Sequence, residues 1–312
     1  MKKVIVDTTA MEKNITYPTD TKNLNKSRQK LVKLAQKHKI ILRQNYKRIG
    51  AKETWKAARY AHAKQFKRMR ASIKKLKTYL GRVCRDIARK LKNKNELQAI
   101  FAHDLSTAFK LLNQTKKSKN KIYSTHEKDV YCLAKGKARK PYEYGSKVSL
   151  VTTQKKGFVL EASALKENTH DSKTLQESLR NAEKNAGCTT EEVLADKGYR
   201  GHGIKDKKIL IPSCKKRMKR YKKQKLKKRS AIEAYISHMK KQGKLDRNYL
   251  KGFQGDELNA LLCAIGHNMR KLLNNYIIIL ILESVICGLS VLKNLFCTQQ
   301  RKKINSTTFF FF

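Results

Sequence analysis

The stretch Val193-Leu194-Ala195-Asp196-Lys197-Gly198-Tyr199-Arg200-Gly201 decides how the rest of the chain reads. A short apolar run stops at an aspartate and then turns at glycines, the pattern of a buried strand that presents Asp196 at its carboxyl end. Further on, Arg229-Ser230-Ala231-Ile232-Glu233-Ala234-Tyr235-Ile236-Ser237-His238-Met239-Lys240 reads as a helix. At about 100° per residue, Arg229, Glu233, Ile236 and Lys240 share one narrow face, while Ala231, Ile232, Tyr235 and Met239 form an apolar face that should pack on a sheet. The helix thus holds out a carboxylate flanked by two cations.

The chain opens with a matching run, Val4-Ile5-Val6-Asp7-Thr8-Thr9. It reads as another strand with Asp7 at its end. Open α/β sheets form their sites beyond the carboxyl ends of strands. Two aspartates so placed, with one helical glutamate, are candidate ligands for two divalent metal ions. Mg²⁺ is the expected ion, with Mn²⁺ as a substitute, because hard cations take carboxylate oxygens. Such a pair can clamp the attacking and leaving oxygens of a phosphodiester. Taken singly, each acid has a plainer reading. Asp7 and Asp196 are common turn chemistry, and Glu233 can simply pair with Arg229 at i,i+4. Their matching contexts favour the metal cage. Tyr199 and Arg200 follow Asp196 directly and are expected to face the same cleft as DNA contacts, with packing as the alternative for Tyr199.

Charge points to the same partner. The 312 residues carry 73 Lys+Arg against 24 Asp+Glu, a net charge of +49. That excess implies a polyanion, with nucleic acid as the default. Cysteines at 84, 132, 188, 214, 263, 287 and 297 form no Cys-x-x-Cys pair. They suit reduced thiols in a cytoplasm. His126, His170, His202 and His238 offer no zinc spacing. The opening apolar run ends at Asp7, far short of a signal peptide.

Between Pro18 and Pro141 there is no proline. Phe66, Met69, Ile73, Leu76, Leu80, Val83, Ile87 and Leu91 recur at helical steps, Leu31, Leu34 and His38 mark an earlier helix, and Leu97 to Leu112 a later one. Gly50 and Gly81 are candidate breaks. Residues 20–118 therefore read as an all-helical insertion, in whose core Trp55 is expected to pack. From Lys147 the period changes. Lys147–Thr152 and Phe158–Ala164 read as a hairpin turning at 154–157. A helix from Ser172 to Ala186 follows, with Asp171 or Thr169 as N-cap, and then strands at Val193–Ala195 and Ile209–Ile211. The cationic run Lys215–Arg229 reads as solvated, or as lying along DNA beside the Glu233 helix. Tyr276–Leu292 is strongly apolar but interrupted by Glu283, which argues against a membrane span. It is expected to be a helix packed on the core or on a partner, and the closing Ser306-Thr307-Thr308 and four phenylalanines look non-native.

The order Asp7, Asp196, Glu233, with Asp196-Lys197-Gly198-Tyr199 and the spacing of Arg229, Glu233 and Lys240, resembles bacterial insertion-sequence transposases of the DDE superfamily, in the insertion-sequence-five group. The segments Glu12-Lys13-Asn14-Ile15, Tyr17-Pro18-Thr19-Asp20, Gly136-Lys137-Ala138-Arg139, Pro141-Tyr142-Glu143-Tyr144-Gly145, Asn168-Thr169-His170-Asp171 and Arg247-Asn248-Tyr249-Leu250-Lys251-Gly252 resemble that group as well, in collinear order to about Arg270. The resemblance implies an α/β, RNase H-like mixed sheet with a large all-helical insertion after the first strand. It implies a first strand over 1–19, the insertion over 20–118, the remaining catalytic core over 119–275 and an apolar C-terminal helix and tail over 276–312. Asp7, Asp196 and Glu233 would be the catalytic metal ligands, and Arg229, Lys240, Tyr199 and Arg200 the DNA contacts. The partners implied are terminal inverted repeats and target DNA, bound by a homodimer in the nucleoid. Members of the group carry a helical region before the first catalytic aspartate. Here Asp7 is the seventh residue, which reads as a truncated copy. Two other classes stay open: a non-catalytic basic DNA-binding protein, and an RNase H-like nuclease without strand transfer.

Overall fold

The computed structural model describes residues 3–115, 118–134, 141–212 and 220–307, with side chains for all of these except 222–223 and 280–307. Residues 136–139 of one expected motif, 215–219 of the cationic run and 308–312 of the tail lie outside the described residues.

The sheet is built around β1 (Lys3–Lys13). Its residues alternate between two buried faces, as period-2 geometry requires. Val4 and Val6 join one apolar cluster, Ile5 a second and Met11 a third. β1 pairs antiparallel with β3 (Tyr142–Thr153), from Val4 opposite Thr153 to Glu12 opposite Gly145. It pairs in parallel with β5 (Glu192–Leu194) only from Lys3 to Ile5. This corrects the expectation that the strand ends at Asp7. β3 is long enough to hold β1 extended to Lys13, and it is the parallel neighbour that stops, leaving Asp7 where the sheet opens. Gly145 is required at the far end of this pairing. A Cβ there would collide with the Met11 carbonyl oxygen.

β3 also pairs antiparallel with β2 (Tyr131–Ala134) and β4 (Val159–Leu165). The β3–β4 hairpin turns at 154–157 as expected. Gly157 has φ of +65°, and its missing Cβ leaves room for the Tyr235 ring. β6 (Lys208–Leu210) continues the sheet parallel to β5, and a short β7 (Arg247–Asn248) pairs with the end of β1. The order is β2-β3-β1-β5-β6, with β4 also on β3. Three antiparallel strands (β4, β3, β1) followed by two parallel ones (β5, β6), with helices on both faces, make an RNase H-like α/β sheet.

Four helices separate β1 from β2: α1 (Asp20–Lys37), α2 (Lys47–His62), α3 (Phe66–Leu91) and α4 (Asn95–Asn113). α3 has the bounds of the sequence stripe. Leu76, Leu80, Val83 and Ile87 of α3 meet Leu24 and Leu31 of α1 and Phe101 of α4 in one apolar cluster. Neither Gly50 nor Gly81 breaks a helix. Gly50 instead lets α2 approach Arg28 and Asn25 of α1. Trp55 does not pack in the core. It is exposed, with the Arg59 guanidinium 4.6 Å from its ring centre.

α5 (Asp171–Ala186) covers the Val4/Val6 face through Leu175, Leu179 and Ala182. His170, not Asp171 or Thr169, caps it by accepting from the Ser172 amide, and Gly187 ends it at φ +63°. The opposite face is covered by α7 (Ala231–Gly243) and the start of α8 (Gly252–Thr307), through Ile232, Met239, Ala260 and Cys263. Part of the cationic run forms α6 (Arg220–Lys227), and Lys225 pairs with Glu192 at 2.8 Å. No helix, among the described residues, is long and apolar enough to cross a membrane.

One ionic cluster closes the β1 end. The Lys13 ammonium is buried, 2.8 Å from Asp256 and 3.1 Å from Glu127, and donates to the carbonyls of Leu250 and Gly252. Asp256 also accepts from Ser146 and Asn248, both at 2.6 Å. Removing one member of a buried ion pair strands the other charge. Lys13→Met should therefore cost about 3–5 kcal/mol, read as a lower urea midpoint; a loss below about 1 kcal/mol would show that the cluster is not what ties these segments. A second prediction concerns His267, buried with Nε2 3.0 Å from the Gly157 carbonyl. Burial lowers its pKa below the ordinary value, and the nearby Lys271 and Arg270 lower it further. The unfolded chain then takes up this proton at a higher pH than the folded one, so stability is lost as pH falls through about 6.5 and below. Thermal melts between neutral and mildly acid pH should show this slope, and His267→Gln should flatten it.

Candidate active site

Strand pairing sets the position of two acids. Ile5 and Leu194 face each other across the β1–β5 ladder, and both pack on Ile232 of α7. Asp7 lies two residues further along β1 on the same face, and Asp196 lies two residues beyond the end of β5, just before a 3-10 turn. α7 crosses this face, and its first turn carries Glu233. The three carboxylates therefore come from three separate elements to one place.

Arg229 stands among them. Its guanidinium lies 3.7 Å from Asp7, 3.9 Å from Asp196 and 3.1 Å from Glu233. Arg229 itself sits in a 3-10 turn just before α7 and is largely covered, at 17 % side-chain exposure, whereas Glu233 is 61 % exposed. Asp7 also accepts from the Thr8 amide at 2.8 Å. Among the described residues, no three His, Cys, Asp or Glu side chains close on one another tightly enough to hold a metal ion. The carboxylates gather on the arginine instead.

A fourth acid belongs to the same neighbourhood. Thr8 points to the opposite face from Asp7, and its hydroxyl donates to Asp171 at 2.9 Å. Asp171 also pairs with Lys147 at 2.5 Å. The sequence offered Asp171 only as a helix cap. Its place beside β1 depends on where α5 packs, and the one available signal was the Asn168-Thr169-His170-Asp171 motif. Gly198 leaves room for it, since a Cβ there would press on Asp171 at 2.8 Å.

Tyr199 corrects the expectation of a DNA contact. Its ring is buried, at 1 % exposure, in the cluster of Val4, Val6 and Leu175. Its hydroxyl has no hydrogen-bond partner of good geometry. Burial drives its pKa up, and Asp171, Asp7 and Asp196 nearby drive it further. The packing alternative therefore holds. Arg200 is exposed and donates to the Pro212 carbonyl at 2.9 Å. Lys240 is half-buried on α7, two turns beyond Glu233.

The family model of the transposase DDE domain matches residues 106–269, just over half of the chain. The chain belongs to this family. Asp196, Glu233 and Arg229 lie inside the matched segment of the transposase DDE domain, and Asp7 lies before it, brought in by the β1–β5 pairing. An uncharacterized protein of Rhizobium meliloti, ORF8 in the nfe locus, is 47 % identical over 66 residues, which cover 21 % of this chain and 32 % of that protein. The match thus spans about a third of that relative's length. No solved structure gave a significant match.

The burial of Tyr199 makes a prediction. Because its hydroxyl has no well-placed partner, Tyr199→Phe should change stability by less than about 1 kcal/mol. Tyr199→Ala should cost about 3–5 kcal/mol through the cavity it leaves. Denaturant unfolding reads both, and a large drop in DNA affinity for the folded Phe variant would restore the contact role.

Proposed function

We propose that this chain carries the catalytic core of a DNA transposase that cuts and rejoins phosphodiester bonds, with Asp7, Asp196 and Glu233 as its metal ligands. The observation that supports it most is the convergence of these three acids on one guanidinium. The chain has only 24 acidic residues among 73 basic ones. Carboxylates brought together repel one another, so folding stability alone gives no reason to collect them. A polyanion-binding protein that gathers acids at one point of a sheet does so for a cation that the chemistry needs.

The donor set suits hard divalent ions, Mg²⁺ or Mn²⁺, which take carboxylate oxygens. For the three acids to share such ions, the Arg229 side chain has to withdraw from between them. Bound there, divalent ions supply activation of water and stabilisation of charge on the attacking and leaving oxygens. The chain's own residues do the rest. β1 and β5 hold Asp7 and Asp196 on one face, and α7 brings Glu233 over them. Arg229, displaced from the acids, meets a phosphate of the scissile strand, with Lys240 and Arg200 as further phosphate contacts. In the first step water attacks a phosphodiester at an element end, one P–O bond forms and one breaks, and a 3′-hydroxyl is released. In the second step that hydroxyl attacks a target phosphodiester. One P–O bond again replaces another, so no nucleotide cofactor is consumed. Terminal inverted repeats and target DNA are the proposed substrates.

Supercoiled plasmid tests this. The full chain with Mg²⁺ or Mn²⁺ should nick it, and Asp196→Ala should slow nicking by about 100-fold or more. Equal rates for parent and variant would sink the proposal. Tight binding with a steep salt dependence and no cleavage in either protein would indicate a plain DNA-binding protein, and cleavage without joined products a nuclease.

A further inference from the structure

We propose that one exposed face of α8 is the surface on which two copies of this chain join, as a coiled-coil seam. Leu258, Leu262, Ile265, Met269, Leu272 and Tyr276 follow one another at alternating steps of four and three residues. That is the a/d spacing of a heptad repeat. Each of the six is between 44 % and 64 % exposed. The helix meets its own protein through other positions. Ala260, Cys263 and Ala264 pack beside Met239 and Leu245, Asn268 bonds both backbone groups of Val159, and Lys271 lies 4.7 Å from the Tyr235 ring centre. Beyond Lys271, every described side chain to Ile279 is exposed.

Charge and area both specify the occupant. In a chain with 31 % charged residues, no heptad a, d, e or g position from Leu258 to Ile279 carries a charge. The flanking positions are Asn259, Leu261, Gly266, Asn268, Leu273 and Asn275. A second +49 chain is repelled almost everywhere else, but along this stripe like charges do not face each other. Nine large apolar side chains at the a, d, e and g positions from Leu258 to Ile279 stand 44 % to 64 % exposed, which is on the order of the 800 Å² per partner that a stable interface buries. An isolated soluble chain rarely leaves so large an apolar patch uncovered. A heptad face is self-complementary, so a copy of the same helix fits it by symmetry.

Sedimentation of the nuclease-treated full chain, at about 0.5 M salt to screen the repulsion between basic bodies, tests the seam. The parent should sediment as a dimer at low micromolar concentration. Leu262→Glu/Leu272→Glu, which puts charge at an a and a d position, should be monomeric, with dimer affinity weakened by about 100-fold or more, while circular dichroism stays as in the parent. Asn274→Glu adds the same charge off the seam and should remain dimeric. A parent that is monomeric at all concentrations, a double variant that stays dimeric, or an Asn274→Glu variant that dissociates equally would each overturn the proposal. A monomeric parent that floats with neutral phosphatidylcholine vesicles would overturn it in favour of a lipid surface.

Discussion

A single buried ammonium holds the working parts in register. Lys13, at the end of β1, is enclosed by Asp256 at the start of α8, by Glu127 in the segment before β2, and by the carbonyls of Leu250 and Gly252. A buried ammonium without partners there would be strongly destabilising. With two carboxylates it is satisfied, but only when three distant segments of chain arrive together: the end of β1, the stretch before β2 and the turn into α8. Three expected motif segments, around Glu12-Lys13, Arg247 to Gly252 and Tyr142 to Gly145, meet here. Their chemistry is structural: Ser146 and Asn248 complete the bonds to Asp256, and Gly145 admits the β1 backbone. Buried ion pairs add little net stability but penalise every wrong arrangement heavily. The cluster sits at the Glu12–Gly145 end of the β1–β3 ladder, whose register sets which side of the sheet Asp7 faces.

From that register, alternation does the rest. Odd positions of β1 look toward α7 and even ones toward α5. Asp7 therefore meets Arg229, while its neighbour Thr8 bonds Asp171 on the opposite face. The three acids on the α7 face share one arginine, and the acid on the α5 face pairs with Lys147. Arg229, 17 % exposed, is screened less than a surface cation would be and offsets part of the repulsion among the three. Tyr199, packed with Val4, Val6 and Leu175, anchors the turn that follows Asp196.

The helices between β1 and β2 form their own apolar cluster, and the cations of α2 and α3 lie mostly on the surface. Trp55 shows how that surface departs from a simple charged coat. It lies open against Arg59, an apolar plate next to a cation. The same contrast, on a larger scale, separates the basic body of the protein from the uncharged stripe of α8.

Sequence alone carried the class of fold and the family resemblance, and it singled out the three acids that the fold brings onto Arg229, because each is written in local pattern. The apolar period separates strand from helix, and Asp196-Lys197-Gly198-Tyr199 and the Arg229–Glu233–Lys240 spacing need no distant partner to be seen. Strand length was not legible in that way. Asp7 looked terminal because the apolar run stops there, yet β3, far along the chain, keeps β1 extended to Lys13. α2 escaped notice because it buries little more than Gly50, Glu53 and Ala57, too few for an apolar stripe. Tertiary structure decided which polar residues are inside. Tyr199 is buried because α5 packs over it, Asp171 joins the acids because of where α5 begins, and Lys13 is enclosed by chain that follows it by more than a hundred residues. Burial is a property of neighbours, and neighbours brought in by folding leave no mark on local spacing.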